Sequence, residues 1–256
     1  MTDAGDPWLG LERELDLWAD AGNVAPFWWR DDDAVVPSDR LDRLLSLAAH
    51  QQTPLCLAVV PEPATEALQS RLQEVADVRV AVHGWGHVNH APDGEKKAEF
   101  GPHRPLRVMT EEAAQGLQRI SALFGGQAIA TFVPPWNRID TNLIAPLGEI
   151  GFTGVSGHRS RKTTASVTGV TAADIHVDIV DWGESRAFVG EEPALRTIYV
   201  QLAEAREAEI ELPATGLLTH HLVMDDAAFD FTARLLEKIH AHRGATWLTP
   251  KAVFSR

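Results

Sequence analysis

A mostly parallel β-sheet covered by helices is the fold class this 256-residue sequence predicts, and three observations carry that expectation. Short apolar runs alternate along the chain with stretches of helical periodicity, the pattern of α/β proteins. About seven such runs occur, near the number at which a parallel sheet closes into a barrel. The most reactive side chains fall at or just after the ends of these runs, where folds of this kind bind their ligands.

The elements follow in order. The first run, Val24 to Trp29, ends abruptly in charge at Arg30-Asp31-Asp32-Asp33. Ser38 then stands where a helix N-cap belongs, ahead of Leu41, Leu44, Leu45 and Ala48 at helical spacing. Leu55 to Val60 predicts a second buried strand stopped by Pro61, Thr65 to Val75 a helix, and Val78 to Val82 a third strand. Residues 84–108 form a long polar stretch dotted with Gly and Pro; so long a loop inside a compact domain is usually functional. Thr110 is expected to cap the next helix, which carries Ala113, Leu117, Ile120 and Phe124 and closes at Gly125-Gly126. Ala128 to Val133 predicts a fourth strand halted by Pro134-Pro135, Asp140 to Leu147 a helix, and Phe152 to Val155 and Ile175 to Val180 further strands. Pro193 suits a first helical position ahead of Leu195, Ile198, Tyr199 and Leu202. Gly216 to Thr219 is another strand, Asp225 to His240 a helix, and Ala245 to Leu248 closes the chain. No repeat, low-complexity tract or linker marks a boundary, so one domain over residues 1–256 is expected, with the motif-bearing part at about 24–250.

Composition narrows the function. The chain is 45% hydrophobic and 23% charged, and 36 acidic residues against 23 basic ones give a formal net charge of −13. Such a surface repels phosphate backbones and anionic headgroups, which argues against nucleic-acid and membrane partners. A single cysteine, Cys56, excludes an intrachain disulfide and a multi-thiolate zinc site. The opening residues lack the basic and apolar regions of an export signal, and no apolar run is long enough to span a bilayer, so a cytoplasmic protein is expected.

Several clusters could carry chemistry. Three adjacent carboxylates, Asp31-Asp32-Asp33, repel one another; alone they suit a solvated loop or a helix-entry cap, but at the end of a Trp-rich strand a cation would relieve the repulsion. His83-Gly84-Trp85-Gly86-His87 offers two imidazoles that can converge on one metal, although such a pair also arises by coincidence. The glycines disfavour a regular helix, so a loop or distorted turn is expected. Pro134-Pro135-Trp136-Asn137-Arg138 is either a rigid turn with a packed indole or a wall with a backbone donor for a ligand carbonyl. Asp178 to Trp182 and Leu218-Thr219-His220-His221 are ambiguous when taken singly.

In this order the clusters resemble the motifs of the NodB-homology polysaccharide deacetylases, carbohydrate esterase family 4, over a stretch from about Phe27 to His221. The resemblance implies a distorted (β/α) barrel of about seven parallel strands. It implies Asp32 as general base and Asp33, His83 and His87 as ligands of a divalent metal, most simply Zn2+, with the register Asp31-Asp32 as the alternative. It places Pro135, Trp136, Arg138, Trp182 and Arg186 around the substrate, Asp181 as the residue that orients the acid, and His220 as the general acid. Two departures stand out. Val133 occupies the place of an arginine that contacts the base, so either Arg30, Arg138 or Arg186 supplies the charge or the base is tuned differently. Gly84 replaces a Ser or Thr after the first metal-binding histidine.

The activity implied is metal-dependent hydrolysis of a carbon–nitrogen amide, with removal of an N-acetyl group from a sugar-derived small molecule or oligosaccharide as the leading expectation. A small-amide amidase and a non-catalytic module on the same scaffold are the alternatives. Two His and one carboxylate also describe non-haem iron oxygenases, but that reading leaves Pro-Pro-Trp and His220 without a role.

Overall fold

The first strand does not stop at the charges. The computed structural model describes residues 6–158, 169–183, 185–207 and 214–255, and in it β1 runs from Ala25 to Ala34, through Arg30 and all three aspartates. Around it lie β2 (Leu55–Val59), β3 (Val78–His83), β4 (Ala128–Val133), β5 (Gly154–Val155), β6 (Thr171–Ala172), β7 (Val177–Asp178), β8 (Thr215–Thr219) and β9 (Ala245–Trp247). Their pairings are parallel, in the order β6-β5-β4-β3-β2-β1-β8-β7, with β9 also on β1. The two edges, β6 and β7, stand at opposite ends of this order, yet only residues 173–176 separate them in sequence. The chain from Ala172 to Val177 can span at most about 18 Å, so the sheet must curl until its edges approach. The product is an incomplete, distorted (β/α) barrel, the fold class the sequence predicts.

Eight helices accompany the sheet among the described residues: α1 (Trp8–Asp20), α2 (Asp39–His50), α3 (Glu66–Gln73), α4 (Leu106–Phe124), α5 (Ile144–Glu149), α6 (Glu191–Glu207), α7 (Asp226–Ala241) and α8 (Pro250–Phe254). Four begin at side-chain caps: Ser38 Oγ accepts from Leu41 N at 3.2 Å, Thr65 Oγ1 from Leu68 N at 3.2 Å, Asp225 Oδ1 from Ala228 N at 2.8 Å, and Thr249 Oγ1 from Ala252 N at 3.2 Å. Each such cap contributes about 1 kcal/mol. None of the helices is long and apolar enough to cross a membrane, among the described residues.

Some elements differ from expectation. α1 was not expected, although Trp8, Leu11, Leu15 and Trp18 form a buried stripe at helical spacing. Thr110 is not a cap: α4 begins at Leu106, and the Thr110 hydroxyl donates to the Leu106 carbonyl one turn back. α6 starts two residues before Pro193. Of the run Ile175 to Val180 only Val177–Asp178 is strand, and Val180 instead makes an antiparallel bridge to Phe188.

Alternation along β1 divides its side chains between two environments. Phe27 and Trp29 belong to the large core between sheet and outer helices, which includes Leu57 and Val59 of β2, Val80 and Val82 of β3, and the apolar faces of α1 to α7. Trp28 points to the opposite, inner face, with Cys56, Ala58, Ala81, Val133 and Leu218. The inner residues are mostly small because a curled sheet leaves little room around Trp28 and the two side chains above it, Arg30 and Asp32. α8 lends Val253 and Phe254 to this inner core, and the Trp28 and Phe254 rings meet edge-to-face at 5.5 Å.

Candidate active site

All five sequence clusters lie at the carboxyl ends of parallel strands, on one side of the barrel, as ligand sites in such folds do. The aspartate triplet is dispersed by strand geometry. Asp31, on the outer face, accepts from Thr219 Oγ1 at 2.7 Å and from the His221 backbone at 2.9 Å, and its Oδ1 lies 2.5 Å from His221 Nδ1. Burial opposes a charged His221, but Asp31 outweighs it and raises the imidazole pKa.

Asp32, on the inner face, meets Arg30 two residues back. The guanidinium Nη2 donates to Asp32 Oδ2 at 3.0 Å, while Nε lies 2.9 Å from Oδ1 without the alignment of a hydrogen bond. Arg30 is completely buried. It also donates to Ser156 O and Oγ at 3.0 and 2.7 Å and to Asn137 Oδ1 at 2.5 Å. Of the three arginines that could stand in for the one absent at Val133, Arg30 therefore occupies the place beside Asp32. Arg138 instead donates to the Lys97 carbonyl at 2.7 Å and pins the long loop; Arg186 lies exposed at φ 47°.

Asp33 leaves the strand alternation at a register shift in the β1–β2 ladder, with φ 74°. Its Oδ1 comes within 3.0 Å of His83 Nε2 and 3.2 Å of His87 Nε2. One ligand atom from each of the three lies within 4.8 Å of the others. His83 Nδ1 lies 3.0 Å from the Val133 carbonyl, which can only accept. Nδ1 therefore carries a proton, and in the neutral imidazole Nε2 turns a lone pair toward a carboxylate oxygen. Two acceptors at that distance need a cation between them, either a proton or a metal ion. Partial burial raises the Asp33 pKa, but His83 and His87 outweigh it and hold the carboxyl far below the usual range. Burial likewise opposes protonation of His83, while Asp32 and Asp33 raise its pKa. A divalent ion fits this donor set: two imidazole nitrogens and a carboxylate with room for further ligands.

The loop between the histidines explains the Gly84 departure. Gly84 has φ +61°, and a Cβ there would lie 2.2 Å from Glu99 Oε2 and 2.5 Å from Pro135 Cγ. Neither the conformation nor the space admits Ser or Thr. Trp136 follows Pro135 in a 3-10 turn, Pro135–Asn137, with φ 55°, and its ring lies 4.3 Å from that of His87. Asp33, His87, Trp136 and Asn137 are all non-glycine residues at positive φ. Strained backbone of about 1–3 kcal/mol per residue persists where surroundings enforce it, commonly at functional sites.

His220 is the last cluster. It is 7% exposed, its Nδ1 lacks a hydrogen-bond partner, and that atom lies 3.9 Å from Asp178 Oδ1. Trp182 stands edge-on to the His220 ring at 4.7 Å and donates from Nε1 to Asp178 Oδ2 at 2.8 Å. Burial raises the Asp178 pKa despite the nearby His220. The resemblance implies the orienting role for Asp181, whereas the structure places Asp178 beside His220 and Trp182. Asp181 lies beyond the strand and accepts from Gly183 N and Ser185 Oγ, both at 2.9 Å, capping a surface loop. Asp178 ends β7 in register with Leu218 of β8, two residues before His220, and that strand register was the signal that could have selected it. Glu99 was also missed; it lies in the long loop, and only the tertiary fold reveals its contacts.

A curled parallel barrel with an Asp-His-His cluster at its strand ends has the fold of the NodB-like polysaccharide deacetylases, carbohydrate esterase family 4. Among solved structures, the chain matches a Mycobacterium smegmatis protein named as a polysaccharide deacetylase at 12% identity, covering 91% of this chain and 93% of that one, with TM-score 0.66. It matches a family 4 carbohydrate esterase from Streptomyces lividans in complex with acetate at 16% identity, covering 87% and 91%, TM-score 0.56. A family 4 acetyl xylan esterase from Clostridium thermocellum in complex with a cobalt ion matches at 15% identity, covering 90% of each chain, TM-score 0.53. At the level of sequence, no family model and no curated protein matches.

Proposed function

We propose that this protein is a metal-dependent hydrolase that removes an N-acetyl group from a sugar-derived substrate. The observation that carries the reading is the meeting of Asp33 Oδ1 with the Nε2 atoms of His83 and His87 at 3.0 and 3.2 Å. The Val133 carbonyl fixes the His83 tautomer so that Nε2 is the ligating nitrogen. A divalent ion held by these three, most simply zinc, supplies Lewis acidity toward the amide carbonyl and acidifies a water.

The remaining chemistry belongs to the chain. Asp32, charged beside Arg30 and with Oδ1 free of an aligned hydrogen bond, accepts the proton of the attacking water as its oxygen bonds to the carbonyl carbon. His220, held between Asp178 and Trp182, donates a proton to the leaving nitrogen as the C–N bond breaks. Acetate and a free amine result. Acid–base assistance of this kind contributes typically about 10²–10⁴ in rate. Trp136 and Trp182 would wall the acyl pocket and offer indole faces to a sugar ring. Pro135 packs against Gly84. The acetyl xylan esterase and the acetate-bound carbohydrate esterase that share the fold agree in chemistry with the reading.

The test is release of free amine from N-acetylated sugars and simple amides by metal-loaded protein, beside the His220→Ala variant. Amine release from the sugars that falls about 10²–10⁴-fold in the variant, with metal content unchanged, is the expected result. A variant as active as the parent would remove His220 from the acid role.

A further inference from the structure

We infer that Glu99 is the positioning residue of the loop that carries His83 and His87, a role that rests on reading Asp33, His83 and His87 as a metal site. The loop has little structure of its own. Gly84 and Gly86 interrupt any helix between the two histidines, and both Gly84 and His87 take positive φ, at 61° and 57°. A pair of ligands four residues apart normally owes its alignment to helical hydrogen bonds; here those bonds are missing, and the alignment has to be imposed from outside.

Glu99 imposes it. The residue is 1% exposed. Its Oε1 accepts from Gly86 N at 2.8 Å and Val88 N at 3.3 Å, and its Oε2 from Trp85 N at 3.2 Å. The two positive-φ residues turn these amides inward into a concave anion-binding nest. No ion pair to this carboxylate occurs among the described residues; the neighbouring Arg104 binds the Glu99 backbone carbonyl and, through both Nη atoms, Glu112. The buried charge is thus satisfied by the amides that lie between and just beyond the two histidines.

Glu99 is itself anchored. The Ala98 amide donates to Asn89 Oδ1 and the His90 amide donates to the Ala98 carbonyl, both at 3.0 Å. Phe100 on the other side is fully buried, bridges Ile139 and packs edge-on to Phe132 of β4 at 5.0 Å. The Glu99 segment therefore holds the turn after β3 through its carboxylate and the segment after β4 through the Phe100 backbone. It also excludes a side chain at position 84, since a Cβ there would meet Oε2 at 2.2 Å. Gly84 and Glu99 form one device, in which the turn between the two histidines is braced by a carboxylate from further along the same loop.

The experiment compares cobalt(II) and zinc affinity, by chelator competition, in the wild type, Glu99→Gln, Glu99→Ala, Gly84→Ser and His83→Ala proteins. Backbone amide exchange is followed in the metal-free proteins. Gln keeps one acceptor oxygen but turns an NH2 toward N–H donors, so it loses the nest while nearly preserving volume. Expected are metal affinities about 10–100-fold weaker in both Glu99 variants, the range typical for residues that orient ligands, together with an altered cobalt d–d spectrum. Exchange at Trp85, Gly86 and Val88 should accelerate, with β2 and β3 amides unchanged. Gly84→Ser should show the same loss, although Ser is what the family resemblance would place there. Wild-type affinity and protection in Glu99→Gln would overturn the inference, as would global unfolding of both Glu99 variants, which would make Glu99 a general core residue. A wild-type protein that binds metal no better than His83→Ala would defeat the metal reading instead, and the exchange data would still decide whether Glu99 holds the loop.

Discussion

Replacing Arg30 with methionine tests the electrostatic arrangement of the barrel interior. Methionine keeps the unbranched apolar stem but removes four donated hydrogen bonds, to Ser156 O and Oγ, Asp32 Oδ2 and Asn137 Oδ1. It leaves the Asp32 carboxylate, 2% exposed, without a cation. Breaking a buried pair from one side costs roughly 3–5 kcal/mol, because the surviving charge keeps its desolvation penalty. That is a large share of the roughly 5–15 kcal/mol that stabilises a typical domain. The double variant Arg30→Met/Asp32→Leu removes both charges and should recover much of the loss, with an interaction energy near the upper end of about 0.5–3 kcal/mol. Urea denaturation near neutral pH reads the stabilities of wild type, Arg30→Met, Asp32→Leu and the double variant, and the loss should persist at high salt, since buried pairs are poorly screened. Arg30→Lys should also be destabilising, because an ammonium cannot serve Ser156, Asn137 and Asp32 together with fork geometry. A cost below about 1 kcal/mol for Arg30→Met, or strict additivity in the cycle, would refute the claim that this pair is what makes Asp32 tolerable inside the barrel.

Asp33→Ala should abolish stoichiometric metal binding, measured by metal analysis after dialysis, and unchanged content would discard the site. Asp178→Asn should lower amide hydrolysis by at least about 10-fold and shift the His220 imidazole resonance in NMR, whereas Asp181→Asn should leave both nearly unchanged, since Asp181 only caps a surface loop. Stability should also titrate through His221, whose folded-state pKa lies above the ordinary imidazole value because Asp31 overcomes burial. Its contribution is complete below about pH 6.5 and lost as pH rises through the folded-state pKa. Metal-free wild type should therefore lose stability over that interval relative to His221→Gln, and parallel curves would contradict the Asp31–His221 pairing.

Much of the fold was legible because local rules sufficed. Ser38, Thr65 and Asp225 cap helices where small polar residues precede apolar periodicity, and Ala128–Val133 is bounded by glycines before it and prolines after it. The sequence predicts a break in β1 at the charges because charge ordinarily ends a buried strand. The chain continues because Arg30 faces Asp32 inside while Thr219 and His221 meet Asp31 outside. Those outer partners lie nearly two hundred residues away, where no local window reaches. Asp178 and Asp181 both fall in the fourth cluster, and only the β7–β8 register decides which faces His220.

Residue types and their order by themselves determined that parallel strands would end in carboxylates, imidazoles and indoles, and that these would gather on one side, because strand polarity makes every carboxyl end point the same way. Which of three neighbouring aspartates meets which partner was decided only in three dimensions. Side chains alternate across a strand, one residue at positive φ breaks that alternation, and the partners come from β3, β8 and β1 itself. Tertiary packing likewise chose Glu99 to brace the histidine loop, since three amides can share a carboxylate only after the fold has brought it among them.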